Sequence, residues 1–292
     1  MKRLVFAIAL LFTISFTLNA QINKSYSEFE VEVTGSGPNL LLIPGATCSG
    51  AVWYETVKEL SNQYTCHVFT LAGYAGAKPL EEAPILPQIE KALANYILKE
   101  APKPVVMGHS IGGFITLELA IQNKDLIQKA IVVDALPFLV AANNPAMTEE
   151  MAKQYPVEPM LKQYKEMGEE QFRNMQSQVV TSMLANEAYH DKVLDWSMKS
   201  DRATMAYTMN EMMTTDLRDD IAAIEIPVMV LGAWYPQSPY PKEQTEALYA
   251  SQYEKLDKLQ LKMADNARHF IMYDSPEWFM SQVKGFLSAK SL

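Results

Sequence analysis

The sequence predicts an α/β fold with three layers, in which a mostly parallel sheet lies between helices and carries an inserted helical cap. Three observations predict it. Short apolar runs of strand length alternate with segments of helical spacing along most of the chain. The central runs are apolar throughout, as strands covered on both faces should be. One long segment, residues 137–216, holds no good strand candidate and is rich in helix formers.

The individual elements follow from this alternation of strand and helix. Strands are expected at 29–33, 40–43, 66–71, 105–107, 130–133, 227–231 and 259–263. Helices are expected at 51–60, 88–100, 111–122, 243–253 and 277–287. Residues 21–136 and 217–292 should therefore form the core domain, with the cap inserted between them.

The predicted cap, residues 137–216, contains 11 of the chain's 17 methionines. Methionine is flexible and polarisable, so a cap rich in it would suit an adaptable apolar pocket. Packing of the helices against one another is an equally good explanation for most of these side chains.

The first twenty residues have the layout of a secretory signal peptide. Lys2 and Arg3 form a basic start, an apolar run extends from Leu4 to Leu18, and Ala20 ends a cleavage point. A membrane anchor is the alternative, but the run is shorter than the roughly 20 residues that a spanning helix needs. We expect a mature chain from Gln21 that is secreted or periplasmic and has no membrane attachment after cleavage.

The charge balance bears on the class of partner. The chain has 25 basic and 34 acidic residues and a net charge of −9. Removal of Lys2 and Arg3 with the signal peptide would make it −11. An acidic chain without a basic run is a poor candidate for binding nucleic acid or anionic membranes. A small-molecule substrate is the expected partner, and the oligomeric state is left open.

The two cysteines are expected to be free thiols. Cys48 follows one predicted strand and Cys66 opens the next. Parallel strands would place them at opposite edges of the sheet, so their Cα atoms could hardly approach within the roughly 7 Å that a disulfide requires.

The hexapeptide GHSIGG, residues 108–113, predicts a nucleophile. It directly follows an apolar strand and precedes a helix, so Ser110 lies on a tight turn between two elements. Side chains at Gly108 or Gly112 would clash with neighbouring strands, which is why the turn needs glycine there. The serine hydroxyl should be exposed at the end of the sheet, beside the helix N-terminus.

With this motif, the chain resembles the α/β-hydrolase superfamily, in particular its serine esterase and haloperoxidase-like members, over nearly all of its length after the signal peptide. The resemblance implies an oxyanion hole made by the backbone N–H groups of Ala46 and Ile111. Family members usually have histidine where Pro44 stands, so the loop before Ala46 departs from the common form. The family's charged pattern is also altered at residues 71–76.

The general base is predicted from the four histidines. His109 adjoins the nucleophile and should point away from it, and His67 begins a strand at the wrong edge of the sheet. His190 lies in the cap and should be a surface residue. His269 follows the last strand, where the resemblance places the catalytic histidine. A purely structural histidine is the alternative.

The acid is harder to assign. The family usually takes it from the loop after the strand at 227–231, and residues 232–242 contain no carboxylate. Asp134, at the end of the preceding strand, preserves the family's chain order and is the predicted acid; capping of a turn is its alternative role. Asp216 is better explained as a helix N-cap. Asp265 and Asp274 are too close to the histidine in sequence to be obvious partners.

These residues predict a serine hydrolase that cleaves a small to medium ester or lactone through an acyl-enzyme on Ser110. Trp234 and Tyr235 should border the substrate entrance. No metal or cofactor is expected, because the histidines and carboxylates do not cluster at ligand spacing. The alternatives are an acyltransferase or perhydrolase (haloperoxidase-like) and a non-catalytic binding protein that has lost the acid.

Overall fold

A computed structural model describes residues 21–122 and 125–289, so the signal-peptide prediction for residues 1–20 lies outside the described residues. The strands are β1 (Ile22–Ser25), β2 (Phe29–Gly35), β3 (Asn39–Ile43), β4 (Thr65–Leu71), β5 (Val105–His109), β6 (Lys129–Val133), β7 (Val228–Ala233) and β8 (Leu259–Ala264). They form one sheet of order β1-β2-β4-β3-β5-β6-β7-β8. Strand β2 pairs antiparallel with β1 and β4, and the pairs from β4 across to β8 are parallel. The predicted fold class is confirmed.

Helices follow the strands and cover the sheet. They are α1 (Tyr54–Leu60), α2 (Leu86–Glu100), α3 (Ile111–Gln122), α4 (Glu149–Ala152), α5 (Glu158–Glu166), α6 (Glu169–Met183), α7 (His190–Lys199), α8 (Arg202–Met213), α9 (Lys242–Gln252), α10 (Ile271–Asp274) and α11 (Pro276–Ser288). Helices α4 to α8 all lie between β6 and β7, in the segment predicted as a cap.

Apolar side chains are buried on both faces of the sheet. Alternate residues of a strand point to opposite faces, so Leu41 and Val106 join one cluster, whereas Leu42 and Met107 join the other. Every residue of the two central strands β5 and β6 is buried. This two-sided burial explains why these strands are apolar throughout their length.

The structure differs from the sequence-based expectations in local detail. Strand β1 was not predicted, because its sequence INKS is polar and the strand lies largely exposed at the sheet edge. The predicted helix at 51–60 begins as a 3₁₀ turn, Gly50–Trp53, whose first turn is capped by the Ser49 hydroxyl. Cys48 and Cys66 are both buried and free, as predicted.

Of the eleven methionines in residues 137–216, two are buried, two are exposed and seven are half-buried. Met205 and Met212 are buried among the helices, whereas Met151 and Met183 are exposed. Packing of helices against each other accounts for the first pair. The exposed pair is not explained by packing.

Candidate active site

Ser110 occupies a strained turn between β5 and α3. Its φ angle is +55°, in the left-handed region that residues other than glycine rarely adopt. Neighbouring glycines make room for this turn. A Cβ at Gly108 would lie 1.9 Å from the carbonyl oxygen of Gly112, and a Cβ at Gly112 would lie 2.5 Å from the carbonyl oxygen of Ile43. The turn therefore tolerates no side chain at either glycine, as the sequence predicts.

Asp134 follows the adjacent strand in a second left-handed turn, with φ +48°. Its backbone N–H donates to the carbonyl of Leu231 (2.8 Å), and that of Ser110 donates to the carbonyl of Val133 (2.9 Å). Both turns thus continue the hydrogen bonding of parallel strands by one residue. They bring Ser110 and Asp134 to the carboxyl edge of the sheet, where α/β proteins place their binding sites.

His269 contacts Asp134 from the loop between β8 and α10. The Nδ1 atom of His269 lies 2.6 Å from Oδ2 of Asp134, and both side chains are mostly buried. When the carboxylate accepts this hydrogen bond, the ring proton stays on Nδ1 and Nε2 is left as a free acceptor. An imidazole held in this tautomer can act as a general base.

Two further donors bind the second oxygen of Asp134. The backbone N–H of Ala233 donates to Oδ1 over 2.8 Å, and the hydroxyl of Tyr249 donates to the same atom over 2.6 Å. Burial, followed by the charge of Asp134, raises the pKa of Tyr249 well above its ordinary value, so the phenol keeps its proton. Sequence reasoning missed Tyr249, which is 115 residues from Asp134.

His109 also belongs to this site, a role that sequence reasoning did not assign. Its side chain is fully buried, and its Nε2–H donates to the backbone carbonyl of His269 over 3.0 Å. The two imidazole rings are 4.4 Å apart, centre to centre. Burial, followed by the proximity of His269, lowers the pKa of His109 well below its ordinary value, so the ring is neutral. His109 therefore connects the serine turn to the backbone of His269.

The loop after β3 lies against the serine. A Cβ at Gly45 would lie 3.2 Å from Cβ of Ser110 and 2.7 Å from Nδ1 of His109. Ala46 follows directly and is half-buried, whereas Ile111 is fully buried as the first residue of α3. The backbone of this loop can thus approach the serine closely only because residue 45 has no side chain.

Trp234 and Tyr235 both contact the segment that carries His269, which we call the base loop (residues 266–275). The backbone carbonyl of Trp234 accepts from the N–H of Ala267 over 3.0 Å. The guanidinium of Arg268 lies 5.0 Å above the ring of Tyr235. Tyr235 and Arg268 also border a hollow of about 430 Å³, with four polar residues of α6: Ser177, Gln178, Thr181 and Ser182. A role in substrate binding stays a prediction for both aromatic residues.

The carboxylates passed over in the sequence have other partners. Asp216 forms an ion pair with Arg218 (2.6 Å) and accepts its backbone N–H (3.1 Å). The predicted N-cap role of Asp216 is wrong, because the next 3₁₀ helix begins four residues later and is preceded by Asp219. Asp265 forms an ion pair with Lys242, and Asp274 accepts backbone N–H groups.

The other two histidines are bound elsewhere. His67 hydrogen-bonds the hydroxyl of Tyr96 (2.8 Å) within the sheet and helix layer. The Nε2–H of His190 donates to the carbonyl of Leu184 (2.9 Å), and the residue is half-buried rather than on the surface as predicted. Neither His67 nor His190 contacts Asp134.

Over residues 21–122 and 125–289, no group of three or more His, Cys, Asp or Glu side chains is arranged to hold a metal ion. The same residues include no helix that is both long and apolar enough to cross a membrane.

Comparisons with known proteins agree with this architecture. The family model described as "Alpha/beta hydrolase family" matches residues 40–282. The solved structure of a hydrolase from Pseudomonas aeruginosa superposes with a TM-score of 0.74 at 15% identity, over 94% of this chain and 100% of that one. That of the enol-lactonase from Burkholderia xenovorans superposes with a TM-score of 0.69 at 15% identity, over 89% and 97%.

Curated relatives are named as esterases. A pimeloyl-(acyl-carrier protein) methyl ester esterase of Vibrio atlanticus is 34% identical over 39% of this chain and 43% of that one. The protein of the same name from Vibrio cholerae is 26% identical over 68% and 76%, respectively. The chain thus spans less than half of the first of these relatives and about three quarters of the second.

Proposed function

Because this chain belongs to the alpha/beta hydrolase family, we propose that it is a serine-dependent carboxylic ester hydrolase. The observation that carries the proposal is the 2.6 Å contact between His269 and Asp134 beside the strained Ser110 turn. This set of three residues combines a nucleophile, a base and the acid that orients the base.

In the proposed mechanism each of these residues has one role. Nε2 of His269 removes the proton of Ser110 as the serine oxygen attacks the ester carbonyl. The oxyanion accepts hydrogen bonds from the backbone N–H groups of Ala46 and Ile111, each worth about 3 kcal/mol in the transition state. When the tetrahedral intermediate collapses, the imidazolium gives its proton to the departing alcohol and an acyl-enzyme remains.

The second half of the reaction repeats the first with water. Nε2 of His269 takes a proton from water as the water oxygen attacks the acyl carbonyl, and Ser110 leaves with the proton returned. Asp134 stabilises the imidazolium in both halves. The products are a carboxylic acid and an alcohol, or one hydroxy acid where the substrate is a lactone.

The proposed substrates are small to medium esters or lactones. The relatives named as methyl ester esterases support the ester class, and the fold shared with an enol-lactonase is compatible with a cyclic ester. We also propose that the insertion, residues 137–216, caps the site, that Trp234 and Tyr235 border its entrance, and that the mature protein is exported.

The decisive experiment measures the intact mass of the chain from Gln21 after treatment with a fluorophosphonate. We expect one adduct on the wild type and none on Ser110→Ala, with release of acid from a short-chain ester by the wild type alone. Ser251→Ala is the matched control, because Ser251 is an exposed serine at the end of α9 and should leave labelling unchanged. A folded wild-type protein that takes no label and cleaves no ester would contradict the proposal.

A further inference from the structure

The base loop is joined to the end of α6 by a dense set of hydrogen bonds. We call residues 181–186, where α6 ends, the cap segment. The guanidinium of Arg268 donates to the carbonyl of Thr181. The backbone N–H of Phe270 donates to the carbonyl of Met183 over 3.3 Å. The insertion therefore contacts the residues on both sides of His269.

Asp274 is the centre of this set of hydrogen bonds. Its Oδ1 accepts from the backbone N–H groups of Ala185 (3.0 Å) and Asn186 (2.8 Å) in the cap segment. Its Oδ2 accepts from the backbone N–H of Arg268 over 2.9 Å and lies 3.1 Å from the N–H of Ala185. One half-buried carboxylate thus bridges two segments that are more than 80 residues apart.

The bridge is reinforced from the cap side. The side-chain amide of Asn186 donates to the carbonyl of Tyr273 over 3.2 Å, next to Asp274 in the chain. The ring of Tyr189 stacks on that of Tyr273 with a centroid distance of 3.8 Å. These contacts hold α10 against the insertion, and Asp274, the last residue of α10, is held in place with it.

The backbone around His269 is held at three consecutive residues. Asp274 binds the N–H of Arg268, His109 binds the carbonyl of His269, and Met183 binds the N–H of Phe270. The imidazole can rotate only about its own side-chain bonds, because the main chain that carries it is bound on every side. Charge-assisted hydrogen bonds to a carboxylate are the strongest of the three kinds.

We propose that Asp274 is a positioning residue for the general base: it ties the insertion to the base loop and thereby sets the distance from His269 to Asp134 and to Ser110. The inference rests on the proposed function, since it assigns Asp274 a part in the same reaction. Asp274 contacts no reacting atom and acts through the backbone of Arg268.

Asp274→Asn tests this directly. An amide has one oxygen that accepts and one NH₂ group that donates, so the variant cannot accept from both segments. Whichever way the amide turns, a donor faces the N–H of Arg268 or those of Ala185 and Asn186. The variant is nearly isosteric, and it leaves Asp134 and His109, which both contact His269, unchanged.

We expect the rate of fluorophosphonate labelling at Ser110 to fall tenfold to a hundredfold in Asp274→Asn, because small misplacements of catalytic groups have effects of this order. In ester hydrolysis kcat should fall by a similar factor while KM stays near the wild-type value, because a misplaced base slows the chemical step and leaves ester binding as it is. A loss of overall stability alone would lower the fraction of protein that labels, without changing the rate constant of the fraction that does.

Asp201→Asn is the matched control. Asp201 caps α8 in the same insertion by accepting the backbone N–H of Thr204 over 2.7 Å, and it is not bound to the base loop in the structure. This variant should keep the wild-type labelling rate constant, kcat and KM. If Asp274→Asn does not fold, Asn186→Ala removes the bond to Tyr273 from the other side of the bridge and should lower the labelling rate constant and kcat with KM unchanged.

The outcomes separate the inference from the function that it deepens. A wild type that labels at Ser110, together with a folded Asp274→Asn of unchanged labelling rate constant and unchanged kcat, overturns the positioning role alone. A wild type that neither labels nor cleaves esters overturns the proposed function, and the positioning role with it. An Asp274→Asn variant with a lower labelling rate constant and a lower kcat at unchanged KM, beside an unaffected Asp201→Asn, supports the proposal.

Discussion

Two regions of the molecule bury carboxyl groups, and they differ in the groups that surround the buried carboxyl. At the carboxyl edge of the sheet, Asp134 is surrounded by three donors from His269, Ala233 and Tyr249. In the layer formed by α2, α3 and α8, Glu90 is 6% exposed and has the carboxyl groups of Glu118 and Glu211 as neighbours. Burial, followed by these two charges, raises the pKa of Glu90 to about 8.

The comparison teaches that burial alone does not identify a functional carboxylate. Burial and the two neighbouring charges outweigh the side-chain hydrogen bond that Glu90 makes to Gln122, so Glu90 retains a proton near neutral pH. Asp134 is buried among donors from separate elements, an arrangement that stabilises a negative charge and directs it at an imidazole. The number and direction of the donors distinguish the candidate site from the structural cluster.

The largest expected effect is on the donor-rich carboxylate. Asp134→Asn should lower kcat by about 10³- to 10⁴-fold, because the amide NH₂ would face Nδ1 of His269 and favour the wrong tautomer. Steady-state ester hydrolysis measures it. Asp216→Asn, which changes a carboxylate paired with Arg218, should lower kcat less than about twofold. Near-wild-type activity of Asp134→Asn would show that the acid is assigned incorrectly.

A tenfold effect is expected from the hydroxyl that supports Asp134. Tyr249→Phe removes the 2.6 Å hydrogen bond to Oδ1, and a bond to a charged group is worth about 1.5 kcal/mol or more. We expect kcat/KM to fall about tenfold in ester hydrolysis. Tyr253→Phe is the matched control, because that hydroxyl donates to the neutral carbonyl of Ala135 instead. Equal losses in the two variants would mean that Tyr249 serves stability only.

The smallest effect on activity, and a clear effect on stability, is expected at Glu90. The pKa is about 8 in the folded state and near 4.5 when exposed, so the group stabilises the fold below pH 4.5 and this contribution is lost as pH rises to 8. Glu90→Gln should remove that dependence. Its free energy of unfolding should therefore rise relative to that of the wild type as the pH increases from 5 to 9, by a few kcal/mol in all.

Urea unfolding at several pH values measures the difference for Glu90→Gln, with the exposed Glu158→Gln as its control. Parallel stability curves for the wild type and Glu90→Gln would contradict the assignment of a buried, protonated carboxyl group. Ester hydrolysis by Glu90→Gln should equal that of the wild type at neutral pH.

Features that depend on neighbouring residues could be predicted from the sequence. The strand, turn and helix around Ser110 lie within one short stretch, and the alternation of apolar runs determines the parallel sheet. The position of Asp134 follows from the same alternation, because it comes directly after β6. His269 lies five residues after the end of β8, and its assignment came from the family resemblance. The structure brings these two side chains into contact, and their catalytic roles stay predictions.

Features that depend on distant partners could not be predicted. Tyr249 lies in α9, whose sequence is mostly polar. Nothing near Tyr249 in the sequence indicates that it binds a carboxylate 115 residues away. Asp274 was set aside because it follows His269 closely, yet its partners Ala185 and Asn186 come from the insertion. From the sequence alone, His109 was expected only to pack within the serine turn. Its hydrogen bond to the carbonyl of His269 is visible only in the structure.

The two buried cysteines have a practical consequence for making the protein. Burial raises the pKa of Cys48 and of Cys66 to about 12, so neither thiol is ionised or reactive at neutral pH in the folded state. No covalent cross-link contributes to the fold, which therefore needs neither an oxidant nor a disulfide isomerase to form. The same chain can be produced in a reducing host cytosol and assayed with or without reductant.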